Sequence, residues 1–203
     1  MSSEPPEPPT GPPYDWASDP DSGLEPEPDE ITAQAGGDET DVPHPVNWRT
    51  LTAEDAEYEW LSLNEWVDWL RHEFGLPASV IPPYWHRHPE LLWELSALHL
   101  HWLGAYDPAQ HASAPIGWMS DFHAAQVRLR EWVALSGTRL DRDRPTRQTT
   151  WPGEDAQPAE PERPIINRDE EFVAFVIADV NRRAEAERTH ADQTRLSAGA
   201  GTS

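Results

Sequence analysis

The sequence predicts a mainly α-helical protein: a small tryptophan-rich helical bundle preceded by a long acidic tail and followed by a polar linker and a C-terminal helix. Three observations carry that expectation. Nine of the 11 tryptophans fall between Trp48 and Trp132, where apolar residues recur at helical spacing. Residues 1–45 hold 11 of the 22 prolines and 12 of the 37 acidic residues, and no arginine. Each expected helix is bounded by a capping residue, a proline or a glycine.

Residues 1–45 carry a charge of −12 out of a net −22. With little apolar surface to bury and strong self-repulsion, such a segment is expected to stay disordered and extended. It reads either as a solvating spacer or as an acidic docking arm in which Tyr14-Asp15-Trp16 supplies an aromatic anchor.

The bundle is expected over residues 46–137. Ser62-Leu63-Asn64-Glu65 has the form of a capping box, in which serine and glutamate satisfy each other's backbone amides. Leu63, Trp66, Val67, Leu70 and Phe74 then form one stripe, and Gly75 stops the helix. A shorter turn capped by Thr52 is expected before it, from Ala53 to Trp60. Pro77, Pro82 and Pro83 make the next stretch an irregular connection. Pro89 suits the first turn of a second helix reaching Leu103. Its apolar residues fall on nearly every face, which predicts a central position. Ser120-Asp121 is expected to cap a third helix with the stripe Trp118, Phe122, Ala125, Leu129, Trp132 and Val133, closed by Gly137.

Residues 138–166 read as a polar linker, in which Asp141 and Asp143 offset half of a local cluster formed by Arg139, Arg142, Arg144 and Arg147; a solvated linker is the expectation, and phosphate binding by the cluster the alternative. Asn167-Arg168-Asp169-Glu170 opens a fourth helix, 167–190, with Phe172, Val173, Val176, Ile177 and Val180 as its apolar strip. Residues 191–203 are expected to fray into a disordered tail.

Composition excludes much chemistry. With no cysteine there is no disulfide, zinc ribbon, iron–sulfur cluster or thiol nucleophile, and with no lysine no lysine-bearing phosphate loop exists. A charge of −22 opposes direct binding to nucleic acid and to acidic membranes. No run of about 18 apolar residues occurs, and Met1-Ser2-Ser3-Glu4-Pro5 does not open a basic-then-apolar leader, so the expectation is a cytoplasmic protein.

The nine histidines raise a metal reading, centred on His86 and His88 with His111, His123 or Glu90 completing a site. His99 and His101 are two apart, about 200° around a helix, and cannot share an ion there. Ser62 and Ser120 fit helix caps better than nucleophiles. Glu90 and Glu94 lie one turn apart, as a solvated face would place them. No catalytic residue and no cofactor is assigned, and the chain is expected not to be an enzyme.

Tyr84-Trp85-His86-Arg87-His88-Pro89-Glu90, then Glu94-Leu95 through Leu98 and Trp102, then Trp118-Met119-Ser120-Asp121, resemble in their order the actinobacterial family called domain of unknown function 4913. The resemblance covers about Ser62 to Gly137. Where that family often has a cysteine before the aromatic pair, this chain has Pro82-Pro83. The resemblance implies an accessory gene of a plasmid, integrated conjugative element or phage, and no activity.

The expected function is therefore a noncatalytic module that binds another protein, with Trp85, His86, His88, Trp93, Trp102 and Trp118 as the candidate interaction or motif residues. Two alternatives stand beside it. One is an acidic DNA mimic that inhibits a restriction or other DNA-binding enzyme; the other is a small histidine-dependent metalloprotein.

Overall fold

The computed structural model describes residues 44–147, 149–155, 158 and 160–200. All of the expected tail except His44 and Pro45 lies outside the described residues. Among the described residues four helices, α1 (Ala53–Glu73), α2 (Pro89–Ala105), α3 (Ala114–Ser136) and α4 (Arg168–Ala200), make up the fold, with a 3-10 turn at Trp85–Arg87. A two-residue antiparallel pair, β1 (Arg142–Asp143) with β2 (Arg163–Pro164), places Arg142 opposite Pro164 and Asp143 opposite Arg163. Helix α4 packs along α1, α1 packs on α2, and α2 packs on α3. The mainly helical, tryptophan-rich bundle expected from the sequence is thus what forms.

Helix α1 is one element, not a turn followed by a helix. Thr52 caps it, its Oγ1 accepting from the Asp55 amide at 3.1 Å and donating to the Asp55 carboxylate at 2.7 Å. Ser62 is interior. The buried stripe Ala56, Trp60, Leu63, Trp66, Val67 and Leu70 runs through it at unbroken helical spacing, so one continuous helix buries more than two would. Its end is as expected. Gly75 takes φ 58, and the Leu76 and Gly75 amides return to the carbonyls of Arg71 and His72 at 3.0 and 3.3 Å, a Schellman closure.

Helix α2 has Pro89 in its first turn and Leu91, Leu92, Leu95 and Leu98 buried, in keeping with its place between α1 and α3. Helix α3 begins before Ser120, with Pro115 in its first turn, so Ser120 is also interior. Trp118, Phe122, Ala125, Leu129 and Val133 are buried, whereas Trp132 is exposed.

The C-terminal helix corrects the sequence reading in two respects. It continues to Ala200, ten residues past the expected end, through a stretch in which Ala191, Gln193, Arg195 and Leu196 favour helix. Its buried seam is Phe172 and Val176, with Phe175 and Val180 packed beside them and Asp179 buried one turn on; Val173 and Ile177 face outward. The expected cap holds, since the Asn167 Oδ1 accepts from the Asp169 and Glu170 amides at 3.1 and 3.3 Å.

Polar bonds fix α4 antiparallel to α1. Asp179 accepts from Trp60 Nε1 at 3.0 Å and from Arg183 Nε at 2.7 Å, and it also pairs with Arg182. Arg183 donates onward to the Leu51 and Trp48 carbonyls at 3.0 and 2.9 Å. At the α1 N-terminus, Glu187 accepts from the Ala53 amide at 2.7 Å, placing a negative charge where the helix dipole favours one. Asp179→Ala is expected to lower stability by about 3 kcal/mol, because it strands the Trp60 donor and the Arg183 charge. Arg182→Ala, at a side chain 74% exposed, should cost less than about 0.5 kcal/mol. Urea denaturation of the two variants beside the parent chain checks both values.

Candidate functional site

The six candidate residues divide between core, structural pairs and surface. Trp85 and Trp118, expected among the interaction residues, are 1% and 0% exposed and belong to the core. Trp85 faces Trp60 and Phe172 at centroid distances of 6.2 and 6.4 Å. Trp118 stacks on Phe122 at 5.0 Å and donates its indole N–H to the Leu98 carbonyl at 3.3 Å. A tryptophan so enclosed offers nothing to a partner. Trp93 is exposed and Trp102 half-buried.

His86 and His88 are both buried, and they turn to different carboxylates. His86 Nε2 meets Glu171 Oε2 at 2.6 Å, and the other carboxylate oxygen takes the Arg87 guanidinium. Burial lowers the His86 pKa against the pull of Glu171. Its Nδ1 is buried without a partner. Neutral His86 with the proton assigned to Nε2 fits both facts, because Nδ1 is then an unused acceptor and not a stranded donor. Glu171 is on α4, so this contact joins the 3-10 turn to the fourth helix.

His88 Nε2 bonds Asp143 Oδ1 at 2.8 Å, an oxygen that also accepts from Thr138 Oγ1 at 3.0 Å. Its Nδ1 lies 3.3 Å from Thr146 Oγ1 and 3.7 Å from Glu90 Oε1, and Thr146 in turn donates to Glu90 at 2.7 Å. Burial opposes a charge on this ring, but the bonds to Asp143 and Glu90 outweigh it and raise the pKa to about 9. Asp143 and Thr138, in what reads from sequence as a solvated linker, are therefore buried parts of the fold.

The metal reading required these histidines to converge on one ion. His111 instead bonds Ser113 at 2.8 Å, and among the described residues no three metal-ligating side chains gather. Glu90 and Glu94 also separate, Glu94 pairing with Arg128 Nη2 at 2.6 Å.

The surface feature that the structure does assemble is an aromatic face along α1 and α2. His99 stacks on Trp66 at 4.8 Å and 27°, Trp66 meets Trp69 at 6.4 Å, Trp69 meets Trp102 at 5.2 Å, and Trp102 meets Tyr106 at 5.6 Å. Phe74 joins Trp69 at 6.2 Å and reaches inward to Phe122 at 4.8 Å. Trp69 is 38% exposed, Phe74 36% and Tyr106 49%. Burial lowers the His99 pKa to about 4, so the ring at the end of the series is neutral at neutral pH. Of this face the sequence candidates include only Trp102. The available signal was Trp69, whose spacing puts it one step off the Trp66, Leu70 stripe.

No family model, curated protein or solved structure matches the chain. Among the described residues, no helix is long and apolar enough to cross a membrane.

The His88 cluster generates a pH dependence. An unfolded histidine titrates near ~6.5, so a folded value of about 9 adds stability that is fully present below about pH 6.5 and is lost as pH rises through 9. The loss should reach ~3 kcal/mol. Melting temperatures from pH 6.5 to 9.5 should fall for the parent and start lower but stay flatter for His88→Gln. Parallel slopes would remove His88 as the source.

Proposed function

We propose that the chain is a noncatalytic protein-interaction module whose α1/α2 aromatic face binds a basic segment of another protein. The exposed aromatic series carries the reading. Tryptophan and tyrosine dominate the energetics of interfaces because they bury large area at small entropic cost, and partly exposed rings already fixed by neighbours are preorganised for contact. Trp69, Trp102 and Tyr106 meet that description.

Charge selects the occupant. Glu65 and Glu73 stand four residues before and after Trp69 on the same stripe of α1, and Asp107 follows Tyr106. All three are exposed, and none forms an ion pair among the described residues. Carboxylates flanking π faces favour arginine or lysine from a partner, through both Coulomb attraction and cation–π contact. The noncatalytic part rests on a second feature, that the buried ionisable groups are engaged in structural contacts, His86 with Glu171, His88 with Asp143, Glu90 with Thr146, and Asp179 with Trp60 and Arg183. The resemblance over Ser62 to Gly137 supports a setting in an actinobacterial plasmid, conjugative element or phage.

The test is capture of partners from host lysate on the immobilised full chain, followed by affinity measurement with the retained protein. Trp69→Ala and Trp102→Ala should each weaken binding about 30-fold, the equivalent of a ~2 kcal/mol hot spot, while Trp132→Ala on α3 leaves it unchanged. Glu65→Gln with Glu73→Gln should reduce both affinity and its salt dependence. A partner held equally by all these variants would overturn the assignment.

A further inference from the structure

One cavity has a charge opposed to that of the chain around it. It measures about 410 Å³ and opens where the C-terminal end of α3 meets Ala78 and Ser79 and the residues after Gly137. Arg130, Arg139 and Arg144 line it, and no acidic side chain does. In a protein with 37 acidic and 15 basic residues, three arginines around one unfilled space need a physical reason.

Structural pairing accounts for part of that charge. Arg144 Nε bonds Glu162 at 2.6 Å, but Glu162 is shared with Arg142 at 3.1 Å. The Arg144 guanidinium lies over Gly137, where an added Cβ would come within 3.1 Å of Nη1; the φ of 74 there also favours glycine. The carbonyl end of α3 contributes about half a negative charge. Among the described residues Arg130 bonds only neutral Gln126, at 3.2 Å, and Arg139 has no ion pair. More than one positive charge is left over, so a dianion suits the cavity better than a single carboxylate. Guanidinium forks match the oxygens of a phosphate in geometry as well as in charge.

The walls add a second requirement. Ala78 and Leu140 line this cavity and also its neighbour of about 770 Å³, whose apolar floor includes Val67, Ile81 and Pro82. In that neighbour Arg71 is paired with Asp68 at 3.0 Å and Arg168 with Asp169 at 2.9 Å, and Glu65 adds a further carboxylate, so the larger space does not compete for the anion. We propose that the arginine cavity seats the phosphate of a small phosphomonoester whose apolar body crosses Ala78 and Leu140 into the larger cavity.

Calorimetric titration of the full chain at low salt, with phenyl phosphate, inorganic phosphate and benzoate as probes, tests this. Phenyl phosphate should bind one to one, more tightly than inorganic phosphate, which lacks the body, and than benzoate, which lacks the second charge. Arg130→Gln and Arg139→Gln, at exposed side chains whose loss should leave the melting temperature unchanged, are each expected to weaken it about tenfold or more. Leu140→Ser should reduce the advantage of phenyl phosphate over inorganic phosphate. Absence of saturable binding, equal affinity in a variant lacking both arginines, or benzoate binding as well as phenyl phosphate would overturn the proposal.

Discussion

The indole of Trp60 is the constraint on which the rest of the structure depends. Its rings meet Trp48 at 4.4 Å, Phe175 at 5.2 Å, Trp85 at 6.2 Å and Phe172 at 6.4 Å, so the entry to α1, the 3-10 turn and α4 converge on one side chain. Such packing closes the site to water, where an unpartnered indole N–H is costly; those of Trp48 and Trp85 stay buried without a partner, and that of Trp60 finds one. Asp179 is that partner, but a carboxylate only 4% exposed is itself costly without a cation. Arg183 supplies it, and the donors left on Arg183 reach the backbone just before α1. One buried donor thus accounts for the register of α4 on α1 and for the anchoring of the segment that leads into them.

The features legible in sequence were those set by neighbours in the chain. The Gly75 and Gly137 stops, the Asn167 cap and the apolar stripes of α2 and α3 each follow from local geometry. The errors arose where a local signal competed with burial elsewhere. Ser62 and Glu65 have the spacing of a capping box, but the cap is optional in energy while the stripe from Ala56 to Leu70 is not, and Thr52 begins the helix. Ser120 loses in the same way to a helix already started around Pro115. Asp143 is one aspartate among many polar residues in sequence. Its burial depends on His88, 55 positions away, a separation that no periodicity reveals.

Tryptophan made the candidate site only partly legible. Its abundance announced a core and a surplus, without saying which residue belonged to which. Of the nine between Trp48 and Trp132, the buried ones are Trp48, Trp60, Trp66, Trp85 and Trp118. Trp66 and Trp69 are three residues apart, yet one is 5% and the other 38% exposed, because the α1–α2 contact covers only one edge of the stripe. That edge is decided by the crossing of two helices. The sequence motif therefore drew attention to Trp85 and Trp118, which pack the interior, and away from Trp69 and Tyr106, which border it.

Folding also sorts the charge. Arg87, Arg168 and Arg183 serve the α4 attachment, reaching Glu171, Asn64 and Asp179, and Arg142 and Arg144 hold Glu162 beside the short strand pair. Among the described residues no cation pairs with Glu65 or Glu73, which stand beside Trp69 on the outer stripe of α1. Arg49, Arg130, Arg139 and Arg147 form no ion pair among the described residues, and two of these, Arg130 and Arg139, come together at the end of α3. A chain with a large negative total thus acquires one aromatic surface rimmed by acid and one small cavity rimmed by base. Paired buried charges mainly secure the fold, whereas unpaired exposed ones are free to select what approaches. The net charge describes neither surface, because each is produced by which partners the core interactions have already taken.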